Sequence, residues 1–143
     1  MSTVDLQVFT QKGLFVKPGI PNPAPAIDGS GKLLQYVLKC LLTTPGSDIF
    51  NPTWGSGLVN ALPDVGAADP NGNQAVQNDV AVAVGKCEAL ILSAQSGENS
   101  DPTELLKALT LISCTFSVSQ TAWLVSISIT SQAGLVNTAQ VAV

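Results

Sequence analysis

The sequence predicts an α+β fold in which two main helices pack on a small, mostly antiparallel C-terminal sheet. Three observations carry that expectation. Residues 31–42 and 74–96 repeat apolar side chains every three or four positions, the helical period. From Leu111 onward the period changes to two, the period of a half-buried strand. The length of 143 residues suits one domain of ordinary size, so 1–143 is read as a single unit with a Pro-rich N-terminal arm at about 17–26.

The elements come in this order. Leu6-Gln7-Val8-Phe9 alternates weakly and reads as a short strand, with four prolines after it at positions 18, 21, 23 and 25. Those prolines forbid a helix and favour an extended arm, laid along a neighbouring subunit or forming a surface connection. Asp28-Gly29-Ser30 offers helix-start chemistry ahead of Leu33, Leu34, Val37, Leu38, Leu41 and Leu42, and Pro45-Gly46 ends that helix. The second helix spans 74–96, with Val76, Val80, Val84, Cys87 and Ile91 as its apolar stripe. At Ser100-Asp101-Pro102-Thr103-Glu104, a capping acid, a Pro at the first helical position and Glu104 three residues after Asp101 predict a short turn of helix. The strands come last. Ile112, Cys114, Phe116 and Val118 share one face, and Trp123, Val125, Ile127 and Ile129 continue it after a turn near Gln120-Thr121. A third extended segment covers 135–143. Residues 108–143 carry no charge, so this sheet lacks the Lys, Glu or Pro that usually protects an exposed edge. Either a partner or the chain's own N-terminal strand at residues 6–9 is expected to cover it, and a partner is the favoured reading.

Composition excludes several function classes. Charged residues are 11% of the chain, against about 25% in an average soluble protein. The apolar share is 45% and the mean hydropathy +0.34. The richest apolar stretch, 80–94, is interrupted by Lys86 and Glu88, so no membrane partner is expected. The first residues show no secretory signal. With no His, the imidazole base, the Ser-His-Asp relay and His metal ligands are unavailable. All six basic residues are Lys, and the net charge is −4, so no nucleic-acid partner is expected. Cys40, Cys87 and Cys114 sit among apolar neighbours and read as buried free thiols.

The loop between the helices is distinctive. Pro45-Gly46 stops the first helix, Pro52 stiffens the connection, Trp54 is large enough to anchor it, and Gly55-Ser56-Gly57 permits a tight turn before Leu58. The glycines are not a phosphate loop, because no Lys comes after them and no strand precedes them. The run Leu41-Leu42-Thr43-Thr44-Pro45-Gly46, with Pro52, Trp54 and Gly55-Ser56-Gly57-Leu58 after it, resembles the baseplate wedge, or sheath-initiator, family of contractile phage tails. A type VI secretion baseplate component is also similar. The resemblance extends to the long helix, the link with an acid and a Pro, and the β-rich terminus, covering most of residues 30–143.

The resemblance implies a structural virion protein, without catalytic residues, metal or cofactor, made in the host cytoplasm and located in the tail baseplate. Its partners would be other baseplate wedge proteins, the tail sheath protein, and the tail hub or tube, in a ring-shaped assembly of several copies. Family members commonly carry Glu-Arg where this chain has Ser47-Asp48, and an E-P-R triplet where it has Asp101-Pro102-Thr103. The arginine is missing at both places, so the wedge contact must use apolar surface or capping hydrogen bonds. The implied wedge face is Asp48, Phe50, Asp101, Pro102 and Thr103. The implied sheath strand, which would pair with extended arms of the first sheath ring, is Leu135, Val136, Asn137, Ala139 and Val141. A virion-surface attachment module is the alternative. A muralytic enzyme is a third reading, since some relatives carry a lysozyme-like label. Glycoside hydrolysis needs two carboxylates at a controlled separation, whereas Glu88, Glu98 and Glu104 are placed for helix-surface and capping roles. Asp64, Asp69 and Asp79 lack the dense alternation of a calcium loop.

Overall fold

A computed structural model describes residues 5–6, 9–12, 15–18, 26–63 and 74–143. The chain runs through β1 (Asp5–Leu6), β2 (Phe9–Lys12), β3 (Phe15–Pro18), β4 (Ala26–Ile27), α1 (Gly29–Leu42), α2 (Leu58–Ala61), α3 (Gln74–Ala94), β5 (Leu106–Ser117), β6 (Ala122–Ser131) and β7 (Val136–Ala142). The fold is α+β. Two main helices share one core with a five-stranded sheet of order β2-β3-β7-β6-β5, while β1 and β4 form a separate antiparallel pair. The Pro-rich stretch at 19–25, residues 7–8 of the expected first strand, and Asp64 and Asp69 lie outside the described residues.

The helices form where the period placed them. On α1, Leu33, Val37, Leu38, Cys40 and Leu41 are buried, and on α3 Val76, Val80, Ala83, Val84, Cys87 and Ile91. Asp28 takes the N-cap position of α1 with extended backbone, but its side chain makes no capping hydrogen bond. The cap comes instead from far along the chain: the Gly29 N–H donates to Glu104 Oε1 at 3.2 Å, and Lys32 Nζ lies 3.1 Å from Glu104 Oε2. Glu104 is only 5% exposed.

The expected helix after Pro102 does not form. Residues 102–104 make a turn, and β5 begins at Leu106, five residues earlier than the alternation suggested. The register against β6 slips twice, between Leu106 and Ala108 and between Leu111 and Ser113. Each slip inserts one unpaired residue and reverses the face taken by the residues beyond it. Leu109 and Cys114 are therefore buried while Ile112 is 55% exposed. Val118, also expected on the core face, lies in the turn at 118–121 and is exposed. On β6 the alternation holds throughout: Trp123, Val125, Ile127 and Ile129 are buried. Thr121 closes the turn with φ 51°.

The largest correction concerns β7. It pairs antiparallel with β6 over seven positions and parallel with β3 at Phe15↔Gln140 and Val16↔Val141. A strand of the N-terminal region thus lies beside it, and β7 is an inner strand. The outer strands are β2 and β5. Along β5, α3 and the residue just after it supply the missing partners: the Leu109 N–H donates to Glu88 Oε2 at 2.8 Å, and the Leu106 N–H to Gln95 Oε1 at 2.8 Å. Gln95 Nε2 also donates to the Glu104 carbonyl at 3.1 Å. Seven residues of helix and three of strand each span about 10 Å, so two side chains on one helix face can reach two edge amides.

Candidate docking loop and its flanking clefts

The connection from Thr43 to Gly57 is held by its own backbone. The Gly46 N–H donates to the Pro52 carbonyl at 2.8 Å, closing the loop on itself. The Ser56 and Gly57 N–H groups donate to the carbonyls of Cys40 and Thr43 at 3.0 and 3.2 Å, fastening its end to α1. Gly55 is required here: its φ is +108°, and a Cβ would stand 2.4 Å from the Thr43 carbonyl oxygen. Trp54 is half-buried, its ring 5.4 Å from that of Tyr36 on α1. It anchors the loop as its size suggested.

At the tip the apolar pattern inverts. Ile49 is 90% exposed and Phe50 98%. The tip is shaped by Asp48, whose Oδ1 accepts the Phe50 N–H at 2.9 Å, and by the Ser47 N–H and hydroxyl, which both donate to the Thr44 carbonyl. Two large hydrophobic side chains are thus presented to solvent on a loop whose backbone is already fixed.

Two clefts flank Tyr36. One, of about 310 Å³, is lined by Lys32, Leu33, Tyr36, Gln95, Glu98, Ser100 and Glu104. The other, of about 360 Å³, is lined by Tyr36, Asp48, Asn51, Trp54, Leu90, Ser93 and Ala94. Burial pushes the Tyr36 phenol above its ordinary pKa, and the Glu98 carboxylate adds to the rise. Asp101 is exposed, and its Oδ1 accepts the Thr103 hydroxyl at 2.7 Å and the Thr103 N–H at 2.9 Å; these bonds hold its carboxyl below the usual range.

The expected wedge-face residues fall on two separate segments, one in the loop after the end of α1 and the other beside its first residue, where the Thr103 side chain lies against Gly29. Asp48 and Phe50 occupy the loop tip; Asp101, Pro102 and Thr103 form the turn just before Glu104, which lines the cleft on the other side of Tyr36. The expected sheath strand is not brought to one surface. Leu135 and Val136 are exposed and Asn137 half-buried, but Ala139 and Val141 are core residues at 1% and 2% exposure. Ile49, Tyr36, Glu88 and Gln95 were missed as contributors. For Ile49 a signal existed, an apolar pair enclosed by Asp48 and Asn51 with no strand or helix period around it.

Glu88 and Glu104 are committed to the hydrogen bonds already described, and Glu98 lies exposed on the rim of its cleft. The cysteines are buried free thiols: Cys87 is pushed up by its hydrogen bond with Cys40 and by burial, and Cys114 by burial alone. Among the described residues no group of three His, Cys, Asp or Glu side chains could hold a metal ion, and no helix is long and apolar enough to cross a membrane. No protein-family model, curated protein or solved structure matches the chain.

Proposed function

We propose that the protein is a structural component of a contractile tail baseplate, a sheath initiator that seats on the wedge through the loop tip at Ile49 and Phe50. The observation that carries this reading is the exposure of those two side chains, 90% and 98%, on a hydrogen-bonded loop. An apolar pair held out on a preformed backbone suits an anchor, because the loop has little ordering entropy left to lose on binding. The resemblance of residues 41–58 to the sheath-initiator family supplies the kind of assembly.

The sheath contact is assigned to a different strand from the one the sequence suggested. With β7 enclosed, the stretch of β5 beyond Leu109, with Ile112 half exposed and Val118 at its turn, is the accessible outer strand of the C-terminal sheet. The test of the seat is Phe50→Ala in the assembling particle. Thermal denaturation of the purified variant should match the parent, within the ~0.5 kcal/mol usual for surface substitutions, while its incorporation into baseplates falls at least tenfold. Normal incorporation of Phe50→Ala together with Ile49→Ser would overturn the reading.

A further inference from the structure

The clefts on either side of Tyr36 carry a chemistry that the loop tip does not use. Tyr36 and Trp54 are each half-buried, their rings tilted by 32° at 5.4 Å, so the clefts they line contain exposed aromatic surface. Asp48 stands on the rim of one cleft and Glu98 on the rim of the other. The cation within these linings, Lys32, is engaged by Glu104 at 3.1 Å. Among the described residues neither Asp48 nor Glu98 forms an ion pair.

We infer that this surface receives an arginine-bearing extended segment of a partner protein, the guanidinium stacking on Tyr36 and Trp54 and pairing with Asp48 or Glu98. Arginine fits for two reasons. Its planar face stacks on aromatic rings and its fork of N–H donors matches a carboxylate, whereas lysine offers a point charge alone. The chain itself has no arginine, so the group must come from outside. Asp48 lies two residues from Phe50 and accepts its N–H, which makes the cleft continuous with the proposed anchor. The inference rests on the assembly reading for the identity of the partner, but the cleft chemistry is tested separately.

The probe is the capped tripeptide acetyl-Ala-Arg-Ala-amide, with its citrulline counterpart as an uncharged near-isostere. Each is titrated into ¹⁵N-labelled full-length protein, following the Trp54 indole and the backbone amides of Asp48, Asn51 and Glu98. Saturable shifts with the arginine peptide, weakened several-fold for citrulline and about two- to fivefold by Glu98→Gln or Asp48→Asn, are expected. Both substitutions preserve side-chain shape and an acceptor oxygen. Val82→Ala, at an exposed position on α3 that lines neither cleft, should leave peptide binding unchanged. No saturable shift at these signals, or equal binding of the citrulline peptide, overturns the inference. Normal particle incorporation of the loop-tip variants with peptide binding intact would instead defeat the assembly reading and leave the cleft standing.

Discussion

Glu104 ties the start of α1 to a turn more than seventy residues away, and the two ends of its ion pair are unequally buried. The Glu104 side chain is 4% exposed and that of Lys32 24%. Removing either charge should therefore have different consequences. In Glu104→Gln the amide oxygen still accepts the Gly29 N–H and Lys32 swings toward water, so the loss should be about 1 kcal/mol, comparable to weakening a helix cap. Lys32→Met removes the cation from beside a carboxylate that is 4% exposed and should cost about 3 kcal/mol, the low end for breaking a buried pair by removing one partner. The double variant removes the stranded charge and should return to a loss of about 1 kcal/mol, a coupling of roughly 3 kcal/mol. Urea denaturation followed by far-UV circular dichroism resolves this, since 3 kcal/mol moves the midpoint by about 1 to 2 M at the slope of a domain this size. If Lys32→Met loses no more than Glu104→Gln, the buried pair does not hold the end of α1 as described.

Three further outcomes are expected. Gly55→Ala should lose about 3 to 5 kcal/mol, combining backbone strain with a clash on the Thr43 carbonyl, whereas Gly46→Ala, at φ +85° with open space around it, should lose about 1 kcal/mol; equal losses in thermal denaturation would count against the loop geometry. Glu88→Leu strands the Leu109 N–H and should lose about 1 to 3 kcal/mol and promote association by light scattering, while Glu88→Gln, which keeps an acceptor, should do neither. Deleting residues 135–143 removes the seven β7 pairings with β6 and the buried Ala139 and Val141, and should abolish cooperative unfolding; a truncated chain that still melts cooperatively would make β7 dispensable to the core.

Legibility in the sequence tracked the range of the interaction responsible. The stripe on α3 and the alternation on β6 are local periods, and each apolar position they marked is buried. The early start of β5 was hidden because the slips at Lys107 and Ile112 break the alternation that would have revealed it. The capping pattern at Asp101-Pro102-Thr103-Glu104 failed for another reason: Asp101 closes a turn onto Thr103, and Glu104 caps a helix 75 residues earlier. A parallel neighbour for β7 lying near position 16 leaves no trace in the spacing around 141. At the candidate site, Phe50 and Asp48 were found through resemblance, while Tyr36 reads as one more residue on a helix until the loop folds over it.

The C-terminal sheet, whose one charged residue over 106–143 is Lys107, raises the question of how the protein limits sticking through its edges while serving the assembly role proposed above. Its outer strand β5 is guarded as far as Leu109, where Gln95 and Glu88 take the Leu106 and Leu109 N–H groups and the slip at Lys107 bends it, which leaves the stretch beyond Leu109 as the edge proposed for the sheath. β3 occupies the far side of β7. Against that guarded sheet, the two most exposed large hydrophobic side chains among the described residues are adjacent, on the loop tip. Trp54, four residues beyond Phe50, is turned back onto Tyr36 by the same loop. On the proposed reading, anchoring the loop and docking it fall to different aromatic residues of one short segment: Trp54 packs against Tyr36 and keeps part of its ring exposed, and Phe50 is left for a partner to cover.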